Sequence, residues 1–275
     1  GIFLCIFLLF FGFDYFTGNH SFSLKNSSKI FSNTDIKGGV AITYRDSNKD
    51  FGAIGTFTAF SELNSIYQKV YKSNDFMTFS ALVVSPESYK LTDKLHQDYP
   101  SAESQLSKGH KYDVTTNIFD KLPQIFKIEL SDDELKTDYI KIIGRENNLR
   151  SEKWVRKDYI NGPDNLYGYK VILPKSNGSG AIGEVLSTPL IGEPLIGHTQ
   201  TFISVGNFST YEESVACLKY IKTKFARTML GILKITQHNP KATWTFVPNQ
   251  DFTPNSDIDW SQSIESIDQQ LYKKY

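Results

Sequence analysis

Seven side chains in the C-terminal half are of the types that grip a polyanion or read a polar edge: Lys170, Lys175, Asn177, Lys222, Lys224, Arg227 and His238. Cations hold phosphate oxygens, while planar amides and guanidiniums pair with base edges. Lys170, Lys175 and Asn177 flank Gly178-Ser-Gly180, and its glycines let such a loop approach a groove closely. Lys222, Lys224 and Arg227, with Lys219, fall on a helical segment, and Lys224 and Arg227, three apart, share a side of it. Gln237 and His238 stand at its end, where a polar pair meets either a phosphate or a cap or turn. An ordinary solvated face explains the same lysines, and spacing alone does not separate the two readings.

The elements that must position these residues are legible as periodicities. Residues 169–173 read as a strand closed by Pro174, and residues 199–205 as another. Thr210-x-x-Glu213 has the spacing of a capping box and opens the clearest helix. Val215, Leu218, Ile221, Phe225 and Leu230 mark its buried stripe, and His238-Asn-Pro240 ends it. Residues 244–248 read as a closing strand, and Ile264, Ile267 and Leu271 place a last helix after Ser261. Upstream, Leu63, Ile66, Tyr67 and Val70 fall at i, i+3, i+4 and i+7, an amphipathic helix opened by Ser61 or Thr58. Residues 76–84 read as a strand, 85–112 as loop around a short helix, and 139–160 as short strands and turns. Ser131-x-x-Glu134 is a second capping-box spacing. A Gly-Gly turn feeds a strand in which Val40, Ile42 and Tyr44 alternate, with residues 56–58 returning as its partner. Residues 14–34 are polar and read as loop. The sum is a mixed α/β fold, of α+β type.

Length and composition allow one large or two smaller domains of an ordinary globular protein, with 40% hydrophobic and 22% charged residues. The net charge is zero, which argues against a uniformly basic coat but not against a local basic face. Residues 141–175 carry eight Lys/Arg against four Asp/Glu, and residues 250–275 carry two Lys against five Asp/Glu. Cys5 and Cys217 lie in no metal-like or redox-like spacing, so a reducing cytoplasm is expected, with no metal site. The apolar run from Gly1 to Phe13 is too short for a membrane span, and no membrane association is expected. Three readings of that run stand: a buried segment of a longer frame, out-of-frame sequence joined to the start, or a secretory core lacking a basic flank.

Residues 167–260, through Tyr167–Lys175, Gly197–Gly206, Lys219–Arg227 and Asp251–Trp260, resemble the target-recognition domain at the C-terminal end of type II restriction–modification adenine-specific DNA methyltransferases. Phe31–Asp46 is similar to the last β-hairpin of the methyltransferase fold in that family. The resemblance implies residues 31–58 as the end of a catalytic domain and 59–275 as a DNA-recognition domain, with 1–30 outside the pattern. A weaker likeness, the helix followed by Phe246–Phe252, points to the recognition domains of type I specificity subunits. The implied partners are double-stranded DNA and a catalytic methyltransferase domain or subunit, and the implied DNA contacts are the seven residues above.

The chemistry of methylation is missing. The catalytic turn of such enzymes holds a flipped adenine with an Asn/Asp-Pro-Pro-aromatic run, and no Pro-Pro pair occurs in this chain. No Phe-x-Gly-x-Gly fingerprint is present either. No catalytic residue and no cofactor is therefore expected here, S-adenosylmethionine belonging to the intact enzyme. Pro163-Asp164 begins a nuclease-like carboxylate pattern that Glu184-Val-Leu186 does not complete with a lysine. His198, Asp257, Asp259 and Trp260 read as structural. A non-enzymatic DNA- or protein-binding module is the alternative, and a secreted β-rich protein a third.

Overall fold

The computed structural model describes residues 3–7, 20–24, 32–33, 40–45, 48, 61–72, 76–134 and 136–275. The chain divides into two units, 1–76 with Tyr275 and 77–274, where the sequence suggested a boundary at 58/59. Helices and strands are mixed throughout, so the fold is α/β in the broad sense expected.

In the first unit, β1 (Phe3–Phe7), β2 (His20–Leu24) and β3 (Val40–Arg45) form an antiparallel sheet of order β1-β3-β2. The stretch read as polar loop thus supplies a strand, because His20-Ser-Phe-Ser-Leu24 alternates polar and apolar residues with the period of a sheet. The returning strand expected at 56–58 lies outside the described residues. Helix α1 (Ser61–Tyr71) buries Leu63, Tyr67 and Val70, as its periodicity requires.

The second unit opens with β4 (Val83–Val84), β5 (Lys90–Leu91), α2 (Asp93–Asp98), α3 (Ala102–Gln105), α4 (Ile118–Lys121), β6 (Phe126–Lys127), β7 (Tyr139–Glu146), β8 (Leu149–Arg156) and β9 (Ile160–Asn161). The strand expected over 76–84 is mostly a 3-10 turn, because the Thr78 hydroxyl captures the Ser80 N–H. The Ser131–Glu134 box closes on itself, the Glu134 carboxylate accepting from the Ser131 N–H at 3.0 Å, yet it opens no α-helix. Strands β7 and β8 are joined by Asn147 and Asn148 at φ 50° and 63°. Two central residues at positive φ are the mark of a type I′ hairpin, whose twist matches the flanking strands. One face of the hairpin carries Ile140, Ile142 and Val155 into a core with Tyr89, Leu95 and Phe119. Gly144 lies directly under Phe119, where an added Cβ would stand 2.5 Å from the ring.

The remaining elements are β10 (Tyr169–Pro174), β11 (Leu190–Gly192), β12 (Ile196–His198), β13 (Phe202–Phe208), α5 (Tyr211–Lys222), α6 (Lys224–Leu230) and α7 (Ile264–Lys274). Two four-stranded sheets result, β11-β10-β13-β4 and β12-β7-β8-β6, with β12 parallel to β7. Ile143 of the second sheet packs on Ile172 and Phe202 of the first. The strand expected at 199–205 runs from Phe202 to Phe208. Thr210 caps α5 as expected, accepting from the Glu213 N–H at 3.2 Å. The long helix then breaks at Thr223, whose hydroxyl donates to the Tyr220 carbonyl and accepts from the Ala226 N–H. Asp268 of α7 takes the newly freed Lys224 and Phe225 N–H groups at 2.8 and 2.9 Å. With the break, Cys217, Tyr220 and Ile221 bury fully, while Val215 and Leu218 are only half-buried. Residues 244–248 are not a strand: Trp244 closes a 3-10 turn held by Thr243 donating to the Pro240 carbonyl at 2.7 Å. Trp244 instead joins Phe79, and Tyr220, Phe252 and Trp260 stack on from there.

Candidate nucleic-acid interface

Lys170 sits inside the protein. It lies in β10 between apolar neighbours, is fully buried, and donates to the carbonyls of Gly168 (2.9 Å), Glu193 (3.1 Å) and Leu166 (3.4 Å). An ammonium has three N–H donors, and three carbonyls use them all. Burial brings its pKa down to about 7. The expected DNA contact at this position is therefore corrected: the side chain reaches no solvent from which a phosphate could approach. Beside it, His198 is buried between the Thr199 carbonyl (3.0 Å at Nδ1) and the Ser204 hydroxyl (3.1 Å at Nε2). A carbonyl only accepts, so Nδ1 carries the proton and Ser204 donates to Nε2. Burial, with the charge of Lys170 acting the same way, lowers the His198 pKa to about 4. Asn165 donates to Ser204 and to the Gly206 carbonyl, and Tyr89 donates to Asn165. This Ser–His pair has no open side, so it serves the core and not catalysis.

The glycine loop is also committed. Asn177 is buried, and its side-chain oxygen accepts from the Ser187 hydroxyl (2.6 Å) and N–H (3.1 Å). That corrects Asn177 as a direct base reader. Its backbone carbonyl accepts from Lys234, a buried lysine that also pairs with Glu184. The Glu184 carboxylate in turn accepts from the Ser179 N–H (2.7 Å) and the Gly180 N–H (2.9 Å). Burial works to raise its pKa, but Lys234 and these N–H groups hold it down to about 2. Gly180, at φ 91°, backs onto Ile235, whose carbonyl carbon an added Cβ would meet at 2.5 Å. The loop is thus pinned from within.

Around this pinned loop the fold assembles residues far apart in sequence. The Asn177 N–H donates to the Gln237 carbonyl at 2.6 Å and the Asn239 N–H to the Lys175 carbonyl at 2.7 Å. The Ser176 hydroxyl meets His238 Nδ1 at 3.1 Å. Lys175 and His238 therefore flank one short bridge between two segments. Arg227 reaches in from α6, its Nη1 donating to the Gly183 carbonyl at 2.5 Å. Lys222 and Lys224 are exposed on their helices, and with Lys175 they form no salt bridge among the described residues. Lys219, by contrast, is spent on the carbonyls of Trp260, Ser261 and Gln262, closing the turn before α7. Asp259 and Trp260 are structural as expected, Asp259 accepting from Ser261 and Gln262, and Trp260 donating to the Asp251 carbonyl.

The sequence missed two exposed cations at the tip of the β7–β8 hairpin. Arg145 and Arg150 stand directly opposite each other in the strand register. Arg150 Nη2 donates to the Thr188 carbonyl at 2.7 Å, one residue from the Ser187 that holds Asn177. The hairpin tip, the 184–188 segment and the Lys175–His238 bridge are thereby linked bond by bond. Asn-Asn between two alternating stretches, in a region with excess positive charge, was the available signal.

The 177–180 loop is filled by the Glu184 carboxylate, which an added Cβ at Gly178 would meet at 2.3 Å. Among the described residues no group of three or more His, Cys, Asp or Glu could hold a metal ion. Among them, too, no helix is long and apolar enough to cross a membrane. No family model matches the chain, and no curated protein matches it.

Proposed function

We propose that the chain is the sequence-recognition portion of a type II restriction–modification adenine-specific DNA methyltransferase. It binds duplex DNA so that a separate catalytic domain or subunit methylates adenine N6 with S-adenosylmethionine, in the cytoplasm. The observation that carries this reading is the convergence of Lys175 and His238 across the 175–177/237–239 bridge, on a loop that Arg227 and the Glu184–Lys234 pair hold rigid. A preorganised loop bearing Lys175, which has no carboxylate partner among the described residues, costs little to order on binding, which favours a phosphate-lined groove as its partner. The test is selection of bound duplexes from a randomised pool by the purified chain, followed by sequencing. One short enriched motif is expected, with no methyl transfer from labelled S-adenosylmethionine by this chain alone. Recovery without enrichment, or methyl transfer, contradicts the reading.

A second reading is a non-catalytic module derived from such an enzyme, binding DNA or protein without reading sequence. The burial of Lys170 and Asn177 favours it, since it removes two of the seven groups that were to contact DNA. Equal affinity for unrelated duplexes would select this alternative.

A further inference from the structure

We propose that the tip of the β7–β8 hairpin is a second phosphate-gripping site, in which Arg145 and Arg150 together clasp the backbone of a nucleic-acid duplex. This rests on the duplex-binding reading above but adds a contact made by residues outside the 175–238 bridge.

The hairpin carries five cations in its strands, and three have anionic partners. Lys141 meets Glu152 at 3.5 Å, Lys153 meets Glu146 at 2.6 Å and Arg156 meets Asp158 at 2.5 Å. Arg145 and Arg150 have no carboxylate partner among the described residues, and the register sets them opposite each other on one face. Like charges directly opposite on a sheet repel. Glu152, opposite Ile143 one step along the same face, answers Lys141 and neither arginine.

Both guanidiniums are nonetheless anchored. Arg145 donates through Nη2 to the Asn148 carbonyl at 2.9 Å, and Arg150 through Nη2 to the Thr188 carbonyl and hydroxyl at 2.7 and 3.1 Å. The Arg150 head also lies over the Phe202 ring, 5.5 Å from its centre. A guanidinium has five N–H donors in a fixed fork, and these contacts use one nitrogen of each. The remaining donors are preorganised at an exposed turn whose twist is fixed by Asn147 and Asn148 at positive φ. A guanidinium fork can meet two oxygens of a phosphate bidentately.

The experiment titrates the full chain into a labelled duplex of about 25 base pairs over a series of salt concentrations. Wild type is compared with Arg145→Ala/Arg150→Ala and with Arg145→Lys/Arg150→Lys. The proposal expects the Ala variant to bind every duplex sequence more weakly, on the order of tenfold at about 0.1 M salt. Its slope of log affinity against log salt should shrink by about 2, near 0.9 for each lost phosphate contact. The Lys variant should keep the slope while losing part of the affinity. Thermal melting should show the Ala variant folded, with only the modest loss expected from the Asn148 and Thr188 hydrogen bonds, while the change in salt slope is a readout that a purely structural role would not move. Unchanged affinity and slope in a folded Ala variant overturn the hairpin site and leave the Lys175–His238 reading standing. Absence of duplex binding by wild type overturns both.

Discussion

Lys170 and Lys175 are five residues apart on one strand and its exit, and they live in opposite environments. Lys170 is enclosed, its three donors consumed by backbone carbonyls, and Lys234 and Glu184 form a second enclosed set 2% and 15% exposed at their side chains. Lys175, His238, Arg145 and Arg150 ring the outside with donors to spare. The same residue types thus do two jobs. Inside, Lys170 is met by carbonyls alone, and the Lys234–Glu184 pair stiffens the 177–184 loop. Outside, Arg145 and Arg150 keep donors beyond those their anchors use. What separates the two is whether fixed acceptors consume every donor.

The sharpest way to break this comparison is Lys234→Met. Removing Lys234 leaves the partly buried Glu184 carboxylate with only the Ser179 and Gly180 N–H groups, which costs on the order of 3 kcal/mol. Chemical denaturation should read that loss, and a loss under about 1 kcal/mol would mean that the inner pair does not hold the loop. Next comes pH. The Glu184 pKa is depressed to about 2 in the folded chain from an ordinary 4.5. Its contribution is therefore complete above about 4.5 and is lost as pH falls through about 2, roughly 3 kcal/mol in all. The urea midpoint should drop across that window in wild type and much less in Glu184→Gln; parallel curves would contradict the assignment. Lys170→Met should cost about 1–3 kcal/mol by orphaning the Gly168 and Glu193 carbonyls, read by thermal melting. Asn148→Ala, placing an ordinary side chain at φ 63°, should cost about 1–2 kcal/mol and loosen the hairpin. Smallest in stability is Lys175→Ala, within about 0.5 kcal/mol, though it should cut the salt slope of duplex binding by about 0.9.

Local signals told the truth where local forces decide. Thr210 with Glu213 opened α5, the Ile264, Ile267 and Leu271 spacing gave α7, and the apolar run after Tyr169 gave β10. Two of the failures share a cause: an acceptor supplied from far along the chain. Nothing near Lys170 announces the Glu193 carbonyl, and nothing near Thr223 announces Asp268, whose carboxylate makes a new helix start affordable there. Residues 244–248 alternate like a strand, yet Trp244 is worth more in the aromatic core with Phe79 than in a ladder, and Pro240 with Thr243 turns the chain to put it there. Of the seven expected contacts, Lys175, Lys222, Lys224, Arg227 and His238 remain at least partly accessible, because each lies at or beyond the end of a strand or on an outer helical face. Arg145 and Arg150 went unnoticed because their significance is relational: it appears only once the register sets them opposite each other.

The most direct test is acetylation of lysines in the folded full chain, quantified by mass spectrometry with and without saturating duplex DNA. The account predicts that Lys175 reacts in the free protein and is protected by duplex, while Lys170 stays unmodified in both. Equal labelling of Lys175 with and without duplex, or ready labelling of Lys170 in the folded chain, would contradict it.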